Sequence, residues 1–157
     1  MSNSLGRVDA DQEQIAEVLI RYATGIDSKD WPLLRSCWTD EIDVDYQQLG
    51  HFTSPDALTD LMKQLHENMG PTYHRMSNFV INVDGDRATV RSYVHAVLML
   101  RPGDSTNWVD ALGHYDDVFV RTQAGWRIRE RVSRTARTLT GGDLAAGAAA
   151  AGVEGRS

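Results

Sequence analysis

Cysteine is almost absent from this chain: Cys37 is the single one among 157 residues. That excludes an intrachain disulfide and a cysteine-based zinc site. Basic charge is also short, with 16 Lys and Arg against 22 Asp and Glu, a net charge of −6 and a pI near 5.2. Such a balance offers no footprint for nucleic acid or for an anionic membrane surface, so neither is expected as a partner. No stretch approaches the roughly 18 consecutive apolar residues of a membrane span. The segment from Met1 to Ala10 lacks the apolar centre of a signal peptide, so a cytoplasmic protein is expected. Among the five histidines, His51, His66, His74, His95 and His114, none shows the HExxH pattern or an i, i+4 pair. No metal site is therefore expected.

What is present describes one globular domain. The content is 41% hydrophobic and 24% charged, and the length is enough to bury a core or a small-molecule cavity. Residues 1–8 are polar and expected to be loose, with the domain proper over 9–138. A first helix is predicted from about Asp9 or Asp11 to Asp27, with acids in its first turn. Asp30-Trp31-Pro32 opens a second helix, Asp30 capping and Pro32 in the first turn, that buries Leu34, Cys37 and Trp38. Ile42 to Tyr46 alternates apolar and acidic residues as a short strand would. Ser54-Pro55-Asp56 starts a third helix, whose apolar side is Leu58, Leu61, Met62, Leu65 and Met69. Four strands follow, Thr72–Val83, Arg87–Leu100, Trp108–Thr122 and Trp126–Arg137, with hairpin turns at Asp84-Gly85 and Gln123-Ala124-Gly125. Helices first and strands after predict an α+β fold, helices on one face of a curved, mostly antiparallel sheet. Apolar residues on both strand faces, Val94, Ala96 and Leu98 against Tyr93, Val97 and Met99, predict a homodimer or homotrimer through the outer sheet face. Arg127, Arg129 and Arg131 share one face of the last strand, which suits solvent or a subunit contact. The Ala/Gly-rich tail over 139–157 reads as flexible, or ordered only against a partner, and carries no chemistry.

The most informative stretch is Arg21 to Asp27. Ile15, Val18, Leu19, Tyr22, Ala23 and Ile26 form one helical face. Asp27 falls about 40° from Ala23 on the helical wheel, flanking that face rather than opposing it. It is either a helix-end cap or a buried acid needing a base. His74 opens the first hairpin strand, and alone it reads as well as a hydrogen-bonded structural residue as a base. As a pair the two gain meaning: a carboxylate on one ring nitrogen fixes the tautomer and raises the basicity of the other. His66 lies on the flank of the third helix, where a solvated side chain is expected.

Several motifs then stand together: Tyr22 and Asp27 on the first helix, Asp30-Trp31, Trp38-Thr39-Asp40-Glu41, His74, Asp84-Gly85-Asp86-Arg87-Ala88, and Gly125-Trp126-Arg127-Ile128. With them the chain resembles the SnoaL-like branch of the nuclear transport factor 2-like superfamily, over about residues 10–138. More narrowly it is similar to the group holding scytalone dehydratase, hexachlorocyclohexane dehydrochlorinase and bile-acid 7α-dehydratase. The resemblance implies a cone-shaped fold enclosing a pocket for a small hydrophobic, cyclic substrate. It implies a cofactor-free lyase, of dehydratase or dehydrohalogenase type. Asp27 and His74 stand at the positions of an Asp–His dyad, and Arg131, six residues after Gly125, at that of an active-site arginine. Tyr22 and Tyr46 match pocket tyrosines. The strand through Val94 and His95 is where the dehydratases place a second acid or histidine. Trp38, Met62, Leu19 and Leu65 are available as lining. An isomerase or polyketide-type cyclase using the same base, or a non-catalytic ligand-binding or interaction module, are the alternatives on this fold.

Overall fold

The computed structural model describes residues 2–143. Among the described residues, three α-helices, α1 (Ser2–Asp27), α2 (Trp31–Arg35) and α3 (Pro55–His66), and one 3-10 turn (Gln47–Leu49) pack with six strands. The strands are β1 (Trp38–Asp45), β2 (His51–Phe52), β3 (Thr72–Asp84), β4 (Arg87–Arg101), β5 (Asp104–Thr122) and β6 (Gly125–Thr140). They form one sheet in the order β2-β1-β6-β5-β4-β3. Among the described residues, only the β1–β6 pairing is parallel. This is the α+β layout that segregated helices and strands predict. Among the described residues, no helix is long and apolar enough to cross a membrane.

The predicted stripe of α1, from Ile15 to Ile26, is buried along its whole length. The helix begins at Ser2, inside the segment expected to be loose. No proline interrupts it there, and Gly6 costs only about 1 kcal/mol relative to alanine. Gly25 lets the next helix approach: a Cβ there would lie 2.9 Å from the Leu34 nitrogen. Asp30 caps α2 by accepting from the Leu33 N–H at 3.0 Å. α2 is shorter than its apolar spacing suggests, because the sheet takes the chain back. The Ile128 N–H donates to the Cys37 carbonyl at 2.8 Å, and Trp38 already belongs to β1. Ser54 caps α3 from its side chain.

Two irregularities decide which residues face the helices. In β3 the pairing shifts between Ser77 and Val80, with Asn78 in the left-handed region at φ 52°. In β6 the partner of Phe119 is Ile128 and that of Val118 is Glu130, so Arg129 is an extra, bulged residue. A bulge changes the side to which the following side chains point. Trp126 and Ile128 face the core before it, and Arg131 faces the core after it, while Arg129 is exposed. The predicted single face of Arg127, Arg129 and Arg131 is thereby broken. The outer sheet face carries ion pairs such as Arg91–Asp116 between exposed Tyr73, Val80 and Tyr93.

The N-terminal half of α1 is tied to the hairpins through Asp11. Both Arg121 Nη groups donate to its oxygens at 2.7 Å, and Trp126 Nε1 donates at 3.1 Å. The bond from Arg121, against the cost of burial, holds the Asp11 carboxyl below its ordinary 3.8. A carboxyl depressed on folding contributes stability above its unfolded pKa and loses it as pH falls through the folded one. The wild type should therefore lose stability below about pH 4. Asp11→Asn should be less stable at neutral pH and show a flatter decline on acidification, as read from urea midpoints across pH.

Candidate active site

The last residue of α1 reaches the first residues of β3. A carboxylate at a helix C-terminus is disfavoured by the helix dipole, so Asp27 needs donors from elsewhere. It does not cap its own helix. Its Oδ1 accepts from the Thr72 hydroxyl at 2.8 Å and from the His74 ring Nδ1 at 2.7 Å, and its Oδ2 accepts from the His74 backbone N–H at 2.8 Å. Burial pushes this carboxyl up, but the bonds from the His74 ring, the His74 backbone and Thr72 prevail and hold it low. The structure thus brings Asp27 and His74 together. The His74 side chain is 8% exposed, and its Nε2 has no hydrogen-bond partner among the described residues.

Arg131 is in a different setting from the one expected of an anion-binding group. It is fully buried, its Nε and Nη2 each 2.7 Å from an oxygen of the fully buried Asp117. Its Nη1 donates to the Tyr46 hydroxyl at 3.3 Å. Aromatic rings enclose the guanidinium, its Cζ lying 3.9 Å from the Tyr115 centroid, 4.4 Å from Tyr22 and 5.2 Å from Trp38. Burial raises the Asp117 carboxyl above its ordinary value against the opposing pull of the guanidinium on both its oxygens, and the guanidinium itself is held well above its ordinary value. The Tyr46 hydroxyl is also 2.7 Å from that of Tyr22. Arg131 therefore acts on a tyrosine pair and has no exposed edge for a ligand. Asp117 and Tyr115 escaped the sequence reading, although both share the inward phase of Phe119 along β5.

A cavity of about 70 Å³ is lined by Val94, Ala96, Ala111, Tyr115 and Ser133, among others. Ala96 is the residue opposite His74 in the β3–β4 ladder. The cavity shares Ser133 and Thr135 with a groove of about 380 Å³ that Tyr46 also lines. Val94 and Tyr46 thus border open space, whereas Trp38, Met62 and Leu19 are packed in the core and Leu65 is on the surface. His95 is not a pocket residue: it pairs with Arg75, opposite in phase to His74, and its Nε2 is 3.0 Å from Asp110 on the outer face. Strand alternation dictates this, because His74 lies opposite Ala96. His51 is exposed and bonded to Asp43, and His114 lies 3.6 Å from Asp116. His66, expected in solvent, is buried beside His74, their ring centroids 6.1 Å apart. Among the described residues no three His, Cys, Asp or Glu side chains gather as a metal site would require.

Comparison with known proteins places these features in a wider group. Residues 8–132 match the model of the SnoaL-like domain. An uncharacterised protein of Mycobacterium tuberculosis, Rv2910c, is 34% identical over 127 residues, covering 78% of this chain and 84% of its own. The crystal structure of the Kfla4162 protein from Kribbella flavida superimposes with a TM-score of 0.78 at 26% identity, over 84% of this chain and 95% of that one. A type 2 hexachlorocyclohexane dehydrochlorinase gives a TM-score of 0.77 at 18% identity, over 89% and 94% of the two chains. A candidate scytalone dehydratase from Novosphingobium aromaticivorans gives 0.75 at 24% identity, over 88% and 91%. The last two likenesses show a common fold.

Removing one partner of a buried ion pair leaves the other charge uncompensated. Asp117→Asn should cost about 3–5 kcal/mol in urea denaturation, whereas Asp117→Leu combined with Arg131→Met should cost markedly less. Equal losses in the two variants would show that the pair's charge is not what matters there.

Proposed function

The chain belongs to the SnoaL-like domain family, and on that premise we propose that it is a lyase working by proton abstraction and β-elimination without a cofactor. The observation that carries this reading is the His74 ring, almost sealed from solvent, with Nδ1 on the Asp27 carboxylate and Nε2 unengaged. An ionised Asp27 requires the proton on Nδ1, which leaves the Nε2 lone pair as the base.

In the proposed reaction Nε2 takes a proton from a carbon next to a carbonyl. The C–H electron pair becomes the new C=C bond, and a hydroxyl or halide on the adjacent carbon leaves with its bonding pair. The imidazolium that forms is stabilised by Asp27. The Tyr46 phenol is the donor best placed to meet developing negative charge, since Tyr46 borders the open groove. Arg131 and Tyr22 act behind it as positioning residues: a charged donor on the phenol oxygen makes its own proton a better donor. Val94 contributes apolar wall. General-base catalysis supplies roughly 10²–10⁴-fold, with positioning and preorganised dipoles supplying the rest.

A second reading has one observation behind it. With His95 on the outer face, the strand that carries a second acid or histidine in the dehydratases offers none here. The same base would then serve an isomerase or cyclase, in which no group departs.

The two are separated by incubating the protein in heavy water with cyclic ketones bearing a β-hydroxyl or β-halide. Elimination should give a conjugated chromophore and loss of water or hydrogen halide by mass, whereas isomerisation leaves the mass unchanged apart from deuterium. His74→Ala and Asp27→Asn should each lower turnover by about 10²–10⁴-fold. Folded variants with undiminished turnover would remove the dyad from the mechanism.

A further inference from the structure

His66 closes α3, and its ring is almost wholly buried, with 5% of the residue exposed. Its Nδ1 is 2.8 Å from the carbonyl of Met62, one turn back on the same helix. A carbonyl accepts only, so the ring hydrogen is on Nδ1 and Nε2 holds a lone pair. That Nε2 is shut off from solvent and has no hydrogen-bond partner among the described residues. The neighbouring cation does not serve it: Lys29 Nζ donates to the carbonyls of Glu67 and Met69, at 3.3 and 2.9 Å. Trp31 covers the ring from another side, at 6.5 Å between centroids. Burial pushes the imidazolium form down, which keeps the ring neutral near pH 7.

The His74 ring lies 6.1 Å away, inclined at 47°, and it too keeps a lone pair on Nε2. Two imidazole rings thus stand side by side, each with an Nε2 lone pair that no donor among the described residues answers. An unanswered buried acceptor destabilises the fold, a penalty that a ligand supplying the missing hydrogen would relieve.

We infer that His66 is a substrate-binding residue of the His74 site and that it selects a substrate carrying a hydroxyl donor. The inference rests on the general-base reading, since it assigns the substrate class of that same site. A halogen has no hydrogen to offer an imidazole lone pair. A departing hydroxyl needs a proton and would gain nothing from an acceptor. The hydroxyl that His66 receives is thus one that stays on the product, beside the carbon from which His74 takes its proton.

Phenol and toluene, nearly equal in shape, are suitable probes. In protein labelled with ¹⁵N, the wild-type His66 Nε2 should resonate as an unprotonated imidazole nitrogen and shift on adding phenol. Phenol should bind about tenfold or more tightly than toluene. His66→Phe should erase this preference, His66→Gln, which can present an amide oxygen, should retain much of it, and His74→Phe should keep it. Equal or undetectable binding of the two probes, or a His66 Nε2 resonance that phenol does not move, overturns the inference. Loss of the preference in His74→Phe with retention in His66→Phe also overturns it, and leaves the general-base reading standing.

Discussion

A carboxylate at the negative end of a helix is out of place, and Asp27 is held there by three donors from one strand. The backbone N–H and ring of His74 and the hydroxyl of Thr72 all converge on it. The same bonds that join α1 to β3 fix the tautomer of the proposed base. Stability and reactivity are therefore coupled at this junction: the interaction that closes the helix–strand angle also determines which imidazole nitrogen is free. Asp27 keeps its charge because those donors prevail over its partial burial.

A second constraint runs through the core. A guanidinium and a carboxylate with no exposure are stable only when every polar atom is matched, and Arg131 and Asp117 match in a two-pronged pair. Tyr22, Tyr115 and Trp38 take up the remaining surface of the guanidinium, and Tyr46 takes its third nitrogen. The arrangement draws β1, β5, β6 and α1 together around one charge. It also means that, in the proposed reaction, Arg131 acts through the Tyr46 phenol.

Much of this was legible in the sequence. The apolar stripe of α1, the caps Asp30 and Ser54 and the hairpin turns are local signals, and each produced the element it predicts. The pairing of Asp27 with His74 came from their placement in a family pattern, because no local rule brings residues 27 and 74 into contact. What could not be read were features set by tertiary pairing. The start of β1 at Trp38 depends on a bond from β6. His66 looks like an ordinary flank residue until β3 and Trp31 cover it. His95 is separated from the inner face only by the register that places Ala96 across from His74. Asp117 was within reach, since strict alternation from Phe119 puts it inside.

The extra residue at Arg129 has a consequence beyond packing. Because that single insertion sets the side-chain phase of β6 from Glu130 to Thr135, up to the next shift at Ala136, the placing of a charge in the core is encoded in chain length and not only in residue identity. Relatives that lacked one amino acid there could keep every other letter of the strand and yet present a different row of groups to the interior. Within such a lineage, gaps and insertions in this strand would divide specificities more sharply than substitutions would.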